Sequence, residues 1–368
     1  MKDWYTIRNA ESLDTPALVL YPDRIRNNIK ILKTFVSDTK QLRPHIKTNK
    51  CPEVVRLMLE GGISKFKCAT IAEAEMLAIE GAKDVLLAYQ PVGPKAKRFC
   101  ELQRAFTKTI FSCLIDNQKS LLELSALAGD YNMKIRVLID VNAGMNRTGI
   151  APGEEAFRLY RAASQTAGID ISGLHVYDGH LRDADLAQRK EKCDQAFQEV
   201  DSLRRQIVAA IGKMPIVVAG GTPTFPIHAK RNGVEVSPGT FIFWDKSYQQ
   251  LLAEQPFEFA ALVVSRVISK PGDQTICVDL GHKSIAAENP INNRVHFLNA
   301  PDIQPIGHSE EHMVFHTQNA AYKVGDVFYG VPYHICPTVA LYEEASVCRE
   351  NKVIETWPIL ARKRKLTI

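Results

Sequence analysis

The chain has 368 residues, 45% of them hydrophobic and 24% charged, and a formal net charge of +5. No apolar run is long enough to span a bilayer, which argues against a membrane protein, and the start Met1-Lys2-Asp3-Trp4-Tyr5 lacks an apolar signal core. Eight singly scattered cysteines point to free thiols in a reducing cytoplasm. The one dense basic run, Arg362-Lys363-Arg364-Lys365, has no interleaved aromatic residue; it reads as a solvated tail, and no nucleic-acid partner is expected.

In chain order, a short apolar segment, Ala17 to Tyr21, precedes a helix from Pro22 to Phe35. Eight predicted strands follow: Leu42 to Thr48, Phe66 to Thr70, Val85 to Tyr89, Ile110 to Ile115, Ile135 to Val141, Ile171 to Tyr177, Ile216 to Ala219 and Val234 to Phe243. Between them, Pro52 to Glu60, Ile71 to Glu80, Asn117 to Ala128, Glu154 to Ala167 and Asp183 to Ile211 repeat apolar residues every three or four positions, which predicts helices. Eight strand-helix alternations predict an α/β fold, a closed (β/α)8 TIM-type barrel over residues 21–250 with its active site where the strands end. A doubly wound open sheet would show the same alternation. From residue 251 to 368, short alternating runs broken by Pro-Gly, Asn-Asn and Gly-Asp turns predict a C-terminal β-rich domain. Residues 1–20 are expected to join it.

Candidate site residues lie at the predicted strand ends. Lys47, in Arg43-Pro44-His45-Ile46-Lys47-Thr48, closes the first strand; taken alone it reads as a solvated loop residue, and the phosphate loop, arginine and metal-ligand pair elsewhere in the chain make it a candidate covalent cofactor lysine. After strand five, the glycine-punctuated Asp140-to-Gly149 loop carries Arg147, a permanently charged donor for a phenolate or carboxylate, or a partner for a surface acid. Strand six ends in Tyr177-Asp178-Gly179-His180, and histidine is the side chain that exchanges protons near neutral pH. Gly220, Gly221 and Thr222 follow strand seven, where barrels commonly hold phosphate on backbone amides. A tight turn without a ligand would look the same. In Tyr333-His334-Ile335-Cys336, an extended backbone would put His334 and Cys336 on one face, able to share a metal, though a buried cysteine beside a hydrogen-bonded histidine would read the same. Imidazole with thiolate favours zinc, while water and substrate oxygen as further ligands would admit manganese or cobalt.

From Leu13-Asp14-Thr15-Pro16-Ala17 to His334-Ile335-Cys336-Pro337-Thr338, the chain resembles the D-threonine aldolase and D-serine dehydratase family of fold-type III, alanine racemase-like pyridoxal-phosphate enzymes. The most specific elements are the Arg43-to-Thr48 run and the His-x-Cys pair. The resemblance implies that Lys47 holds pyridoxal 5'-phosphate as a Schiff base, that Arg147 lies near its phenolic oxygen, and that Gly220, Gly221 and Thr222 receive its phosphate. Tyr177 and His180 would then flank the cofactor as catalytic residues beside Lys47, and His334 and Cys336 would bind zinc or manganese. Two positions depart from the aldolase pattern: Cys336 stands where several D-threonine aldolases have aspartate, and Asp183 where an aldolase histidine is expected.

The activity implied is a metal-dependent lyase on small D-3-hydroxy amino acids, cleaving them as D-threonine aldolases do to glycine and an aldehyde. The alternative is a D-serine dehydratase giving an α-keto acid and ammonia, as Cys336 suggests. Racemisation would need a second base such as Tyr329 or Tyr333, and a non-catalytic cofactor carrier would lack the second domain. The family resemblance also implies a homodimer.

Overall fold

The computed structural model describes residues 3–368. Among them no helix is long and apolar enough to cross a membrane, and all eight cysteines are free. The chain divides into two compact units. The barrel unit comprises Leu32–Lys47, Met58–Gly239 and Lys363–Ile368; the β unit comprises the residues up to Ile31, Thr48–Leu57 and Thr240–Arg362. The boundary expected near residue 250 thus falls at Gly239, and Thr48–Leu57 also belongs to the β unit.

The first strand, β1 (Ala17–Leu20), lies in the β unit, and seven parallel strands build the barrel unit: β2 (Lys65–Cys68), β3 (Asp84–Leu87), β4 (Ile110–Ile115), β5 (Ile135–Val141), β6 (Ile169–Val176), β7 (Ile216–Ala219) and β8 (Val234–Val236). They pair in chain order. Most of their residues are buried and apolar, with charged or polar side chains such as Lys67, Asp140, His175 and Glu235 set among them. Of the eight expected strands, the first is not a strand. Leu42 and His45 make single bridges to Val236 of β8 and Lys67 of β2, so the segment joins the two edges of the sheet. Pro44 explains the difference, because it has no N–H to give a ladder. Its carbonyl accepts from Lys67 N at 2.9 Å, while Arg43 N and His45 N donate to Val236 O and Pro238 O, each at 2.9 Å. The eighth predicted strand is likewise cut short at Val236, since Pro238-Gly239 leads into a 3-10 turn at Thr240–Ile242.

Charge pins the joining segment. The buried Arg43 guanidinium bonds Glu235 at 2.6 Å and Asp84 at 2.7 Å. The barrel interior includes an apolar layer, with Leu86, Leu114, Leu138 and Val218 packed together. Helices cover the outside, among them Pro94–Ala105, whose polar composition hides a buried face of Ala96, Phe99, Cys100 and Leu102. The C-terminal residues are held rather than merely solvated: Lys363 to Lys365 are exposed, but Ile368 O accepts from Arg98 at 2.5 Å, and Thr367 N donates to the buried Glu75 at 2.9 Å.

The β unit is built on β9 (Ala261–Gly272), β10 (Thr275–Val278), β11 (Val295–Phe297), β12 (Gln304–His308), β13 (Met313–His316), β14 (Val327–Pro332), β15 (Glu344–Arg349) and β16 (Lys352–Pro358). Strand β1 pairs antiparallel with β9 and parallel with β15, so the N-terminal segment lies inside this sheet. Its core packs Val263, Val267, Ile276, Val278, Phe297, Met313, Phe315 and Phe328.

Candidate active site

Lys47 sits in a one-turn 3-10 helix, Ile46–Thr48, immediately after the joining segment. Ile46 is fully buried and anchors the turn, and the Lys47 backbone N–H donates to His45 Nδ1 at 3.2 Å. The lysine is therefore presented from a fixed turn at the mouth of the barrel unit.

Three cations surround one aromatic ring. Arg147, Lys67 and Lys47 place their charged groups 4.9, 5.6 and 5.9 Å from the centre of the Tyr177 ring. Tyr177 extends from β6, and on its other side runs the loop after β7. There Gly220 adopts φ +77°, and a Cβ added at Gly221 would stand 3.0 Å from Tyr177 Cε2. The positive φ at Gly220 favours a residue without a side chain, and at Gly221 a Cβ would press on the ring. Thr222 Oγ1 accepts from Gly239 N at 3.3 Å, tying the loop to the end of β8.

Behind this loop, Asp178 works as a hub. Its carboxylate accepts from Thr224 Oγ1 at 2.6 Å and from His228 Nε2 at 2.8 Å, and Thr224 in turn accepts from Gly221 N at 3.3 Å. Burial opposes its ionisation, but His228, Thr224 and Cys193 hold it below the usual carboxylate range. The Asp178, Cys193 and His228 donors lie within 4.8 Å of one another, close enough for one ion. Arg231 donates to His228 Nδ1 at 3.3 Å, so the hydrogen bonding of the cluster is complete without one.

His180 is exposed and packs beside Gly144 in the Arg147 loop. Asp183 turns to Lys192, whose hydrogen bond keeps its carboxyl low. In the β unit, Tyr329 is buried and accepts from Ile7 N at 3.1 Å, a structural engagement.

His334 and Cys336 are brought together differently from the expected extended strand. β14 stops at Pro332; His334 caps the short helix Ile335–Val339, and Cys336 stands in its first turn. The two side chains hydrogen-bond to each other even so. His334 Nδ1 pairs with Glu288, the carboxylate-to-imidazole arrangement that orients metal-binding histidines. Burial works against its proton, but Cys336, Glu288 and Asp245 push it up to about 9. Cys336 Sγ also lies 3.1 Å from Thr48 Oγ1, the residue that follows Lys47 in the chain.

Both groups implied by the sequence fit the residues present. For pyridoxal phosphate, the barrel unit offers an amine, a glycine path that a Cβ would obstruct, and the buried Ser237 hydroxyl, which has no hydrogen-bond partner among the described residues. For a divalent metal, the β unit offers an imidazole, a thiol and an orienting carboxylate.

The model for the alanine racemase N-terminal domain matches residues 21–247, more than half of the chain. The chain belongs to this family. It is a family of fold-type III pyridoxal-phosphate enzymes, and a serine dehydratase domain model matches residues 260–348. The chain is 29% identical over 360 residues to a D-threonine aldolase of an Arthrobacter species, covering 95% of this chain and 93% of the relative. It is 24% identical to a D-threo-3-hydroxyaspartate dehydratase of a Delftia species, over 94% of this chain and 97% of that one. The crystal structure of D-threonine aldolase from Filomicrobium marinum superposes with a TM-score of 0.87 at 26% identity, covering 98% of this chain and 99% of that one.

Sequence reasoning missed Lys67, His175, Asp140, Ser237 and Glu288. For two of them a signal existed: Lys67 and His175 stand near the C-terminal ends of the β2 and β6 segments beside buried apolar residues, Phe66 and Cys68, Leu174 and Val176, where a charged or polar residue is out of place. Glu288 lies in a loop far from His334 in the chain, and nothing local marks it.

Proposed function

We propose that this protein is a pyridoxal-phosphate- and divalent-metal-dependent lyase that cleaves D-3-hydroxy amino acids, D-threonine among them, to glycine and an aldehyde. The observation that carries this reading is the match to D-threonine aldolase along 95% of the chain, through both the Lys47 turn and the His334–Cys336 pair. A cofactor carrier would have no use for the β unit.

Lys47 holds the cofactor covalently, Gly220, Gly221, Thr222 and Ser237 receive its phosphate, and Arg147 and Tyr177 orient its ring. Bound there, pyridoxal phosphate supplies an electron sink for whichever Cα bond is broken. A zinc or manganese ion on His334 and Cys336 would supply Lewis acidity for a hydroxyl oxygen. Aldol cleavage moves one proton, from the β-hydroxyl to Cα. The exposed imidazole of His180 is the candidate to take it, because Asp183, at the expected position of a base, is held ionised by Lys192 and is a weak one. The Lys47 amine would be the group able to deliver a proton at Cα. The family resemblance supports a homodimer as the working assembly.

Cys336 favours the second reading, a D-serine dehydratase type of reaction, in which Lys47 removes the Cα proton and the hydroxyl leaves as water. Product identity separates the two. Metal-loaded protein is incubated with D-threonine and with D-serine, and glycine, aldehyde, keto acid and ammonia are assayed. Glycine with acetaldehyde from D-threonine is expected; keto acid and ammonia in their place would overturn the aldolase reading.

A further inference from the structure

Lys67 is an unusual residue for its place. It is 2% exposed, lies on β2 among buried residues, and among the described residues is paired with no acid; its Nζ lies 3.5 Å from His175 Nε2. His175 Nδ1 is 2.8 Å from Asp140 Oδ1. With Nδ1–H donated to the carboxylate, Nε2 is left as the acceptor for the Lys67 amine. The chain continues outward: Gln90 Nε2 donates to Asp140 Oδ2 at 2.8 Å and to Asp116 Oδ2 at 3.0 Å, and Asp116 Oδ2 accepts from Gly149 N at 3.1 Å, in the loop that carries Arg147.

We propose that Lys67, His175 and Asp140 form a buried proton-holding triad that sets the charge beside Lys47, which makes Lys67 a positioning residue of the cofactor site. This rests on the reading of Lys47 as the cofactor lysine.

The groups facing Lys67 divide evenly in sign. Lys47 and Arg43 repel its charge, Asp140 and Asp178 attract it, and burial disfavours it most, so that its amine is lowered to about 7. Burial, with Lys67 and Arg147, lowers His175 as well, against the pull of Asp140. The neutral imidazole and the ionised Asp140 therefore stay as they are, and the proton that comes and goes is the one on Lys67 Nζ, exchanged with water through the barrel mouth. When it is bound, Tyr177 faces three cations; when it is lost, two. A cofactor held on Lys47 reports that difference, because its absorption responds to a unit charge a few ångströms away.

Two measurements on the full chain test this. First, cofactor-free wild type, Lys67→Met and Lys67→Gln are melted across pH. The folded state binds fewer protons than the unfolded state between the lowered folded value and the ordinary lysine value, so wild-type stability rises with pH in that window. The advantage of the neutral variants at about pH 6 is expected to shrink by about pH 9. Lys67→Gln keeps an uncharged donor for His175 and covers the case in which Lys67→Met does not fold. A stability difference that does not change with pH overturns the triad.

Second, the visible absorption of cofactor-loaded protein is titrated. Wild type should show a step that is absent in Lys67→Gln and replaced in Lys67→Arg by the low-pH spectrum throughout; the same step in all three overturns the proposal. Borohydride labelling of the same samples separates the two readings. A label on a lysine other than Lys47 sinks the cofactor assignment, while the melting series still decides whether Lys67 exchanges its proton.

Discussion

A branched side chain at Gly221 is enough to test the cofactor cradle. Its Cβ would stand 3.0 Å from Tyr177 Cε2, so a branched side chain must displace either the ring or the loop. Gly221→Val should fold, yet bind pyridoxal phosphate about tenfold more weakly or worse; fluorescence titration of the cofactor checks this, and unchanged affinity would place the phosphate elsewhere. Cys336→Ala separates the other half of the chemistry. Because Lys47 and the glycine loop are untouched, the cofactor absorption should persist, while metal retained after dialysis should fall and turnover of 3-hydroxy substrates should be lost. Metal analysis beside the spectrum distinguishes this from a folding defect. Lys47, Arg147 and the glycine pair were legible in the sequence because short local motifs carry them. Lys67 and His175 were not, since a hydrogen bond between residues 108 positions apart leaves no local trace.

Strands and helices were legible where their period was long enough. β5 and β6, with seven and eight residues, match their apolar runs closely. The helix Pro94–Ala105 was hidden by its charged outer face. The joining segment was misread as a strand because Leu42 to Thr48 has the composition of one, and only the missing N–H of Pro44 and the short turn at Lys47 argue otherwise. What holds this segment is largely one side chain. Arg43 meets Glu235 on β8, one edge strand of the sheet, and Asp84 on β3, the neighbour of the other edge strand, in a buried setting where removal of one partner leaves charge unpaired. Arg43→Ala should therefore destabilise the protein by roughly 3–5 kcal/mol, far more than loss of a surface pair such as Lys119–Glu123. Denaturant unfolding measures both, and equal small effects would show that the joining segment is held by its backbone bonds alone.

At the scale of the whole molecule, neither unit is one continuous stretch. The β unit draws on three stretches of chain, and β1, between β9 and β15, comes from the opposite end of the sequence from its neighbour β15. Such pairing across more than three hundred residues could be guessed from the apolar Ala17-to-Tyr21 run, but its register could not, because register is set by partners a sequence does not identify. The ring of the barrel unit is equally uneven. β5 and β6 share a seven-residue ladder, whereas the segment before Lys47 has a single bridge on each side. Proteins open locally where fewest bonds must break. The amides of Arg43 and His45 should then exchange with deuterium much sooner than those of Ile139 and Val141. A cofactor tethered to Lys47 and gripped by phosphate at Gly221 would span that seam like a strap. Loading the protein should slow exchange at the seam more than anywhere else in the barrel, so that the reagent of catalysis is also the last stave of the fold.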